Sequence, residues 1–272
     1  MIELFQYDFF VNAVIASILA SIACGIIGSY IVVKRIVFIS GGIAHTAYGG
    51  IGLGYLLGIN PLIGALGFSI GAAGIISFLR LKHNQHEDTL IGILWALGMS
   101  LGVLFVSFSP GYSTDLMSYL FGNILTVPLN ELVLTGAIDL IIILVVWMFF
   151  DELRAITFDE EYSRAMGLKV ERFYLMLLIL IAFTIVVLIK LVGIILAIAL
   201  LTIPAALAKL FVKSLGHMIF VSIAVSILFT MIGLFTSYYL NLPTGSTIII
   251  VAIIGYTLVY VFNSFITRRN EF

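Results

Sequence analysis

His45 lies in 36–79, a long stretch of this 272-residue chain without Asp, Glu, Lys or Arg. Imidazole titrates near neutral pH and is a favoured ligand for Zn²⁺ and other first-row metals. An ionisable side chain is costly in an apolar environment, so His45 is a candidate metal ligand or proton carrier. The other reading is a neutral ring hydrogen-bonded to a neighbouring helix. Asp139, inside the apolar run 132–150, is a second such residue. It is neutral, paired or open to a wet cavity. His83, His86, Glu87 and Asp88 have metal-ligand types, but only two are histidines and all lie in a loop, so a solvated loop is the better reading. No nucleophile–base pair sits at helical spacing within an apolar run, so no catalytic residue, bound cofactor or enzyme activity is expected.

These residues belong to a chain that is 62% hydrophobic and 10% charged, against about 25% charged in soluble domains. So much apolar surface does not fit in one water-exposed core, which predicts an integral membrane protein. Net charge is −1, which excludes a global basic field for nucleic acid. The single cysteine, Cys24, cannot form an internal disulfide.

Apolar runs at 9–33, 36–79, 89–114, 132–150, 173–189, 191–208 and 214–267 supply the spans. Asn60-Pro61 divides the second run and 241–245 the last, because proline and turn residues end helices. The expectation is an all-α polytopic protein of about nine (eight to nine) transmembrane helices, with 1–272 forming one membrane unit. The pair around Lys190 is short and could form one re-entrant unit.

Basic residues collect on the cytoplasmic side. With 151–172 inside, every Lys and Arg except Lys190 falls inside. The N-terminus is then outside, the C-terminus inside, and the location a plasma or inner cell membrane. The outer side carries Glu3, Asp8, Asp115 and Glu131 against Lys190, which favours cations approaching from outside. No G-x-x-x-x-G-K-[ST] phosphate loop occurs, and 151–172 is too short for a nucleotide-hydrolysing domain. ATP-driven transport would need another chain.

Glycines recur at Gly50, Gly54 and Gly58, at Gly67/Gly71 and at Gly98/Gly102, a spacing that lets helix backbones approach closely. Segment 115–127 is apolar but too short to cross, and reads as an interfacial or re-entrant helix. Segment 159–168 predicts a short cytoplasmic helix, with Asp159, Glu160 and Glu161 leading, Arg164 following and Gly167 ending it. Its acids disfavour an anionic lipid surface, so a protein-docking helix fits better.

The blocks VVKRIVFISGGIAHTAYGGIGLG (32–54), EDTLIGILWALGMSLGVLFVS (87–107), DLMSYLFGNIL (115–125), FDEEYSRAMGL (158–168), KLVGIILAIALLTIPAALA (190–208) and LPTGSTIII (242–250) occur in order. In these the chain resembles the permease subunits of zinc- and manganese-importing ABC transporters. The resemblance implies a homodimer with no bound cofactor, passing Zn²⁺ or Mn²⁺. A separate ATP-binding cassette ATPase drives it and an extracytoplasmic solute-binding protein feeds it; no nucleic acid is involved. It also implies that 158–168 is the coupling helix, with Asp159, Glu161, Arg164 and Gly167 as coupling residues, and that His45 is a metal ligand. The family usually has an Asp four residues before that histidine, on the same helix face; here the position is Gly41. Gly41, the intramembrane Asp139 and the outer Asp115 are pathway candidates. The rival readings are an ion-coupled secondary transporter and an ABC permease for a metal chelate such as a siderophore.

Overall fold

The computed structural model describes residues 6–82, 87–109 and 117–269. The described chain forms helices α1 (Asp8–Lys34), α2 (Val37–Leu57), α3 (Pro61–Lys82), α4 (Glu87–Ser107), α5 (Met117–Phe121), α6 (Leu129–Met148), α7 (Phe150–Phe158), α8 (Glu160–Ala165), α9 (Val170–Phe211), α10 (Leu215–Leu240) and α11 (Thr244–Arg269). No strand occurs among the described residues. Among the described residues seven helices are long and apolar enough to cross a membrane: α1, α3, α4, α6, α9, α10 and α11.

Helix α2 is equally long but is not one of the seven. It carries glycines, His45, Thr46 and Tyr48, and most of its residues are buried. It packs on α3, α4 and α9, so it needs no continuous apolar coat of its own. The break after it falls where Asn60-Pro61 predicts. Gly58 takes φ 66°, and the Asn60 side chain accepts the Leu62 N–H at 3.0 Å. Proline is tolerated in a first helical turn because its missing N–H has no partner there. The glycines of α2 meet neighbours in the same chain: a Cβ on Gly50 would strike the Gly64 backbone of α3, and one on Gly54 would lie 2.6 Å from Pro61 Cα.

The expected division at Lys190 is corrected. Helix α9 has 42 residues and its one non-helical residue is Gly193, at φ 80° and ψ 165°. Lys190 stays helical, its ammonium 2.6 Å from the Glu131 carboxylate at the start of α6. A charge answered by a partner does not end a helix, whereas φ near +80° strongly favours glycine. The chain reverses there. Tyr174, near the start of α9, faces Lys34 at the end of α1. Ala205 and Ala208, near the end of α9, pack against Val32 and Val33 of α1. A straight helix of that length would separate its ends by about 63 Å. At the reversal an added Cβ on Gly193 would sit 2.7 Å from the Leu120 carbonyl, so α5 closes directly over the turn.

Two more expectations are refined. The fourth helix stops at Ser107, earlier than the apolar run. Segment 115–127 holds the short α5 and a 3-10 turn, Ile124–Thr126, which begins at the Asn123 cap.

Candidate functional site

The His45 ring is held by two contacts. Its Nδ1 lies 2.8 Å from the Gly41 carbonyl, one turn earlier on α2. A carbonyl only accepts, so Nδ1 donates; in the neutral form of the ring the lone pair is then at Nε2. The ring face stacks on Trp95 of α4, with centroids 3.7 Å apart and planes 24° apart. Trp95 can reach it because α4 crosses α2 almost backbone to backbone. A Cβ on Gly98 would lie 2.5 Å from the His45 carbonyl, and Thr46 Oγ1 lies 3.3 Å from the Leu94 carbonyl. Fixing one imidazole nitrogen orients the other, as the outer partners of metal-binding histidines do.

Gly41 is buried, and a Cβ there would lie 3.4 Å from the Trp95 ring edge. The space a side chain at 41 would enter therefore faces an indole. Trp95 carries no signal in the sequence, because the contact joins helices that are distant along the chain.

The other candidates lie elsewhere. Asp139 is 3% exposed, and neither carboxylate oxygen has a hydrogen-bond partner among the described residues. It sits on α6, which packs against α1 and α9, whereas His45 faces α4. Asp115, His83 and His86 lie outside the described residues. Among the described residues, no three His, Cys, Asp or Glu side chains come together as a metal site. Any ion handled here by this chain alone would meet few ligands.

Ten residues beyond His45 on the same helix, the Tyr55 hydroxyl lies 2.9 Å from that of Tyr119 on α5. Ser109 Oγ donates to the Tyr55 carbonyl at 3.1 Å. These bonds pin the Gly58 end of α2 beneath α5.

The predicted docking segment, 159–168, holds one short helix, α8, and a second, α7, runs up to it. Asp159, in extended conformation, separates α7 from α8 and accepts the Tyr162 N–H at 2.9 Å, as a helix N-cap does. Gly167 takes φ 84° just beyond α8, and the Leu168 N–H returns to the Ser163 carbonyl at 3.0 Å. That is a glycine C-terminal cap. Arg164 pairs with Glu171 on α9 at 2.8 Å, so it fixes the exit from α8. Glu161, Tyr162 and Met166 are exposed, and Ser163 is buried. The neighbouring acid, Glu160, faces inward to Lys34 and Arg80. Sequence reasoning grouped it with the exposed acids. The only available signal was the pair of bases closing α1 and α3.

The model of the ABC 3 transport family matches residues 6–264. The uncharacterized membrane protein slr2045 of Synechocystis sp. is 47% identical over 258 residues, spanning 95% of this chain and 92% of that protein. The manganese transport system membrane protein MntC of Listeria monocytogenes is 35% identical over 259 residues, spanning 95% and 92%. The solved structure of PsaBC from Streptococcus pneumoniae in complex with Fab superposes with a TM-score of 0.85 at 33% identity, covering 94% of this chain and 92% of that one. A match over nearly the whole length, with the same arrangement of helices, establishes that the chain belongs to the ABC 3 transport family.

Proposed function

We propose that this chain is the membrane permease of a divalent-metal importer whose preferred cargo is Zn²⁺. It works as two copies with a separate ATP-binding cassette ATPase and receives metal from an extracytoplasmic solute-binding protein. The observation that carries the metal reading is His45, with Nδ1 tied to Gly41 and Nε2 left available on the helix most enclosed by the others. A relative is named for manganese transport. Zinc is nonetheless favoured here, since imidazole suits Zn²⁺ while carboxylate suits Mn²⁺, and the residue one turn from His45 is glycine. Weak binding by few ligands suits a conduit that must release its ion. Support for a second copy comes from Gly67, Gly71 and Gly74 on α3, where an added Cβ would meet nothing within 4 Å. Such a ridge accepts another helix closely.

The test is uptake into proteoliposomes holding this chain, its ATPase and its binding protein, with Zn²⁺, Mn²⁺ and Fe²⁺ supplied in turn. ATP-dependent uptake with zinc preferred is expected. Uptake driven by a proton gradient without ATP overturns the reading in favour of a secondary transporter. Uptake of metal only as an organic chelate overturns it in favour of a chelate permease.

The proposed topology treats 1–272 as one membrane unit in a plasma or inner cell membrane, N-terminus out and C-terminus in. With both arms of α9 counted as crossings and α2 included, there are nine. Single cysteines at Met166 and Leu242, both exposed, in a Cys24→Ser background check it. The expected outcome is that an impermeant thiol reagent labels Leu242→Cys on intact cells and Met166→Cys only after permeabilisation. Labelling of both from outside contradicts the orientation.

A further inference from the structure

Helix α8 has six residues and is joined to its neighbours by short connections. A push on its exposed face, at Tyr162 and Met166, would be absorbed by those joints unless something ties α8 to the long helices. The Glu160 carboxylate is such a tie. It pairs with the Lys34 ammonium, at the last residue of α1, and lies 3.0 Å from Arg80, in the final turns of α3. Lys34 also donates to the Ile156 carbonyl of α7 at 2.6 Å. Arg80 sits 4.1 Å from the centre of the Tyr174 ring, at the start of α9, and Lys34 sits 5.5 Å from it. One acid thus ties the first residue of α8 to the ends of α1 and α3, whose bases in turn reach α7 and α9.

The cluster is not an ordinary surface ion pair. The Lys34 side chain is 6% exposed and that of Glu160 24%. Ion pairs shielded from water are strong, and removing one partner leaves the other uncompensated. Burial alone would raise the Glu160 pKa, but the Lys34 hydrogen bond and the Lys34 and Arg80 charges hold it below the usual carboxylate value of 4.5. A carboxylate whose pKa is lowered on folding contributes stability above its ordinary pKa and loses that contribution as pH falls through the lowered one. The tie is therefore fully charged at neutral pH.

From Arg80 the path continues. Helix α3 meets α2 at the Gly64–Gly50 backbone contact, and α2 carries His45. We propose that Glu160 is a positioning residue for energy coupling: clamped between Lys34 and Arg80, it delivers movement of the docking helix to α1 and α3, and through α3 to the helix bearing His45. This rests on the reading of α8 as the ATPase-docking helix.

The test uses the complete complex in proteoliposomes and reads ATP hydrolysed per zinc ion taken up, with thermal denaturation of the purified complex alongside. Glu160→Gln keeps the shape and an acceptor but removes the charge. Hydrolysis within about twofold of wild type and uptake lowered about tenfold are expected, raising the ratio about tenfold. Asp151→Asn removes an exposed pair with Arg154 on α7 and should leave the ratio unchanged. An unchanged ratio in Glu160→Gln overturns the proposal, whether both rates persist or both fall together with stability. If Glu160→Gln does not assemble, Arg80→Gln decides, since it leaves the Lys34 pair intact. A ratio raised about threefold supports the clamp, and an unchanged one overturns it. A wild-type complex without ATP-driven uptake overturns the docking reading itself, an outcome distinct from a coupled wild type and an equally coupled Glu160→Gln.

Discussion

Replacing His45 with alanine is expected to lower zinc uptake by at least the ~10–100-fold that loss of even an outer partner costs a metal site, while the permease still assembles with its ATPase. The reason lies in how the ring is presented. Nδ1 donates to the Gly41 carbonyl, Trp95 holds the face, and Nε2 is turned away from that bond. A ring held only for packing would need no such orientation. Its loss would leave a void beside Trp95 and lower stability without a selective loss of transport. The measurement is initial uptake across a zinc concentration series, with co-purification of the ATPase as the assembly check. Uptake by His45→Ala at the wild-type rate at every concentration would show that the histidine is packing, and would move the search for ligands to Asp139.

The second large effect is expected from returning a carboxylate to position 41. Gly41→Asp places an acid one helical turn from His45, on the same face. With oxygen beside nitrogen in the site, metal affinity should rise about ten- to a hundredfold and preference should move toward Mn²⁺. Trp95 limits the gain. A Cβ at 41 already lies at ordinary contact distance from the indole edge, so the carboxylate beyond it must displace the ring. Gly41→Asp combined with Trp95→Ala should therefore gain more than the two single variants added together, as substitutions in contact do. Metal-dependent thermal stabilisation reads the affinity, because a ligand that binds only the folded state raises its stability. An intramembrane acid without a metal partner costs about 2.5–3.5 kcal/mol, so Gly41→Asp should be less stable than wild type in chelator and recover in metal. Equal metal shifts in wild type and in both 41-substituted proteins would exclude this position from the pathway.

The sequence alone was enough for whatever depends on composition and short-range pattern. The apolar runs located the long helices, because roughly twenty residues without charge have few stable homes outside a bilayer. Asn60-Pro61 located the α2–α3 break, because a proline cannot continue a helix. Gly167 located the end of α8. His45 stood out because an ionisable ring in an apolar run needs a reason to be there. The order of six motifs was sufficient to point to the family.

Tertiary structure decided everything that depends on which distant residues meet. Lys190 looked like a helix boundary until Glu131 was seen to answer its charge, and the reversal fell three residues later at Gly193, beneath α5. Glu160 was indistinguishable from Asp159 and Glu161 by type and spacing, yet it alone of the three turns inward to Lys34 and Arg80. Trp95 was one aromatic among many until α4, crossing at Gly98, laid it on His45. Hydropathy and spacing describe a helix along its own axis. Which face pairs with which, and so which charge is answered and which ring is held, is set by backbone contacts between segments tens of residues apart, and no local pattern encodes those.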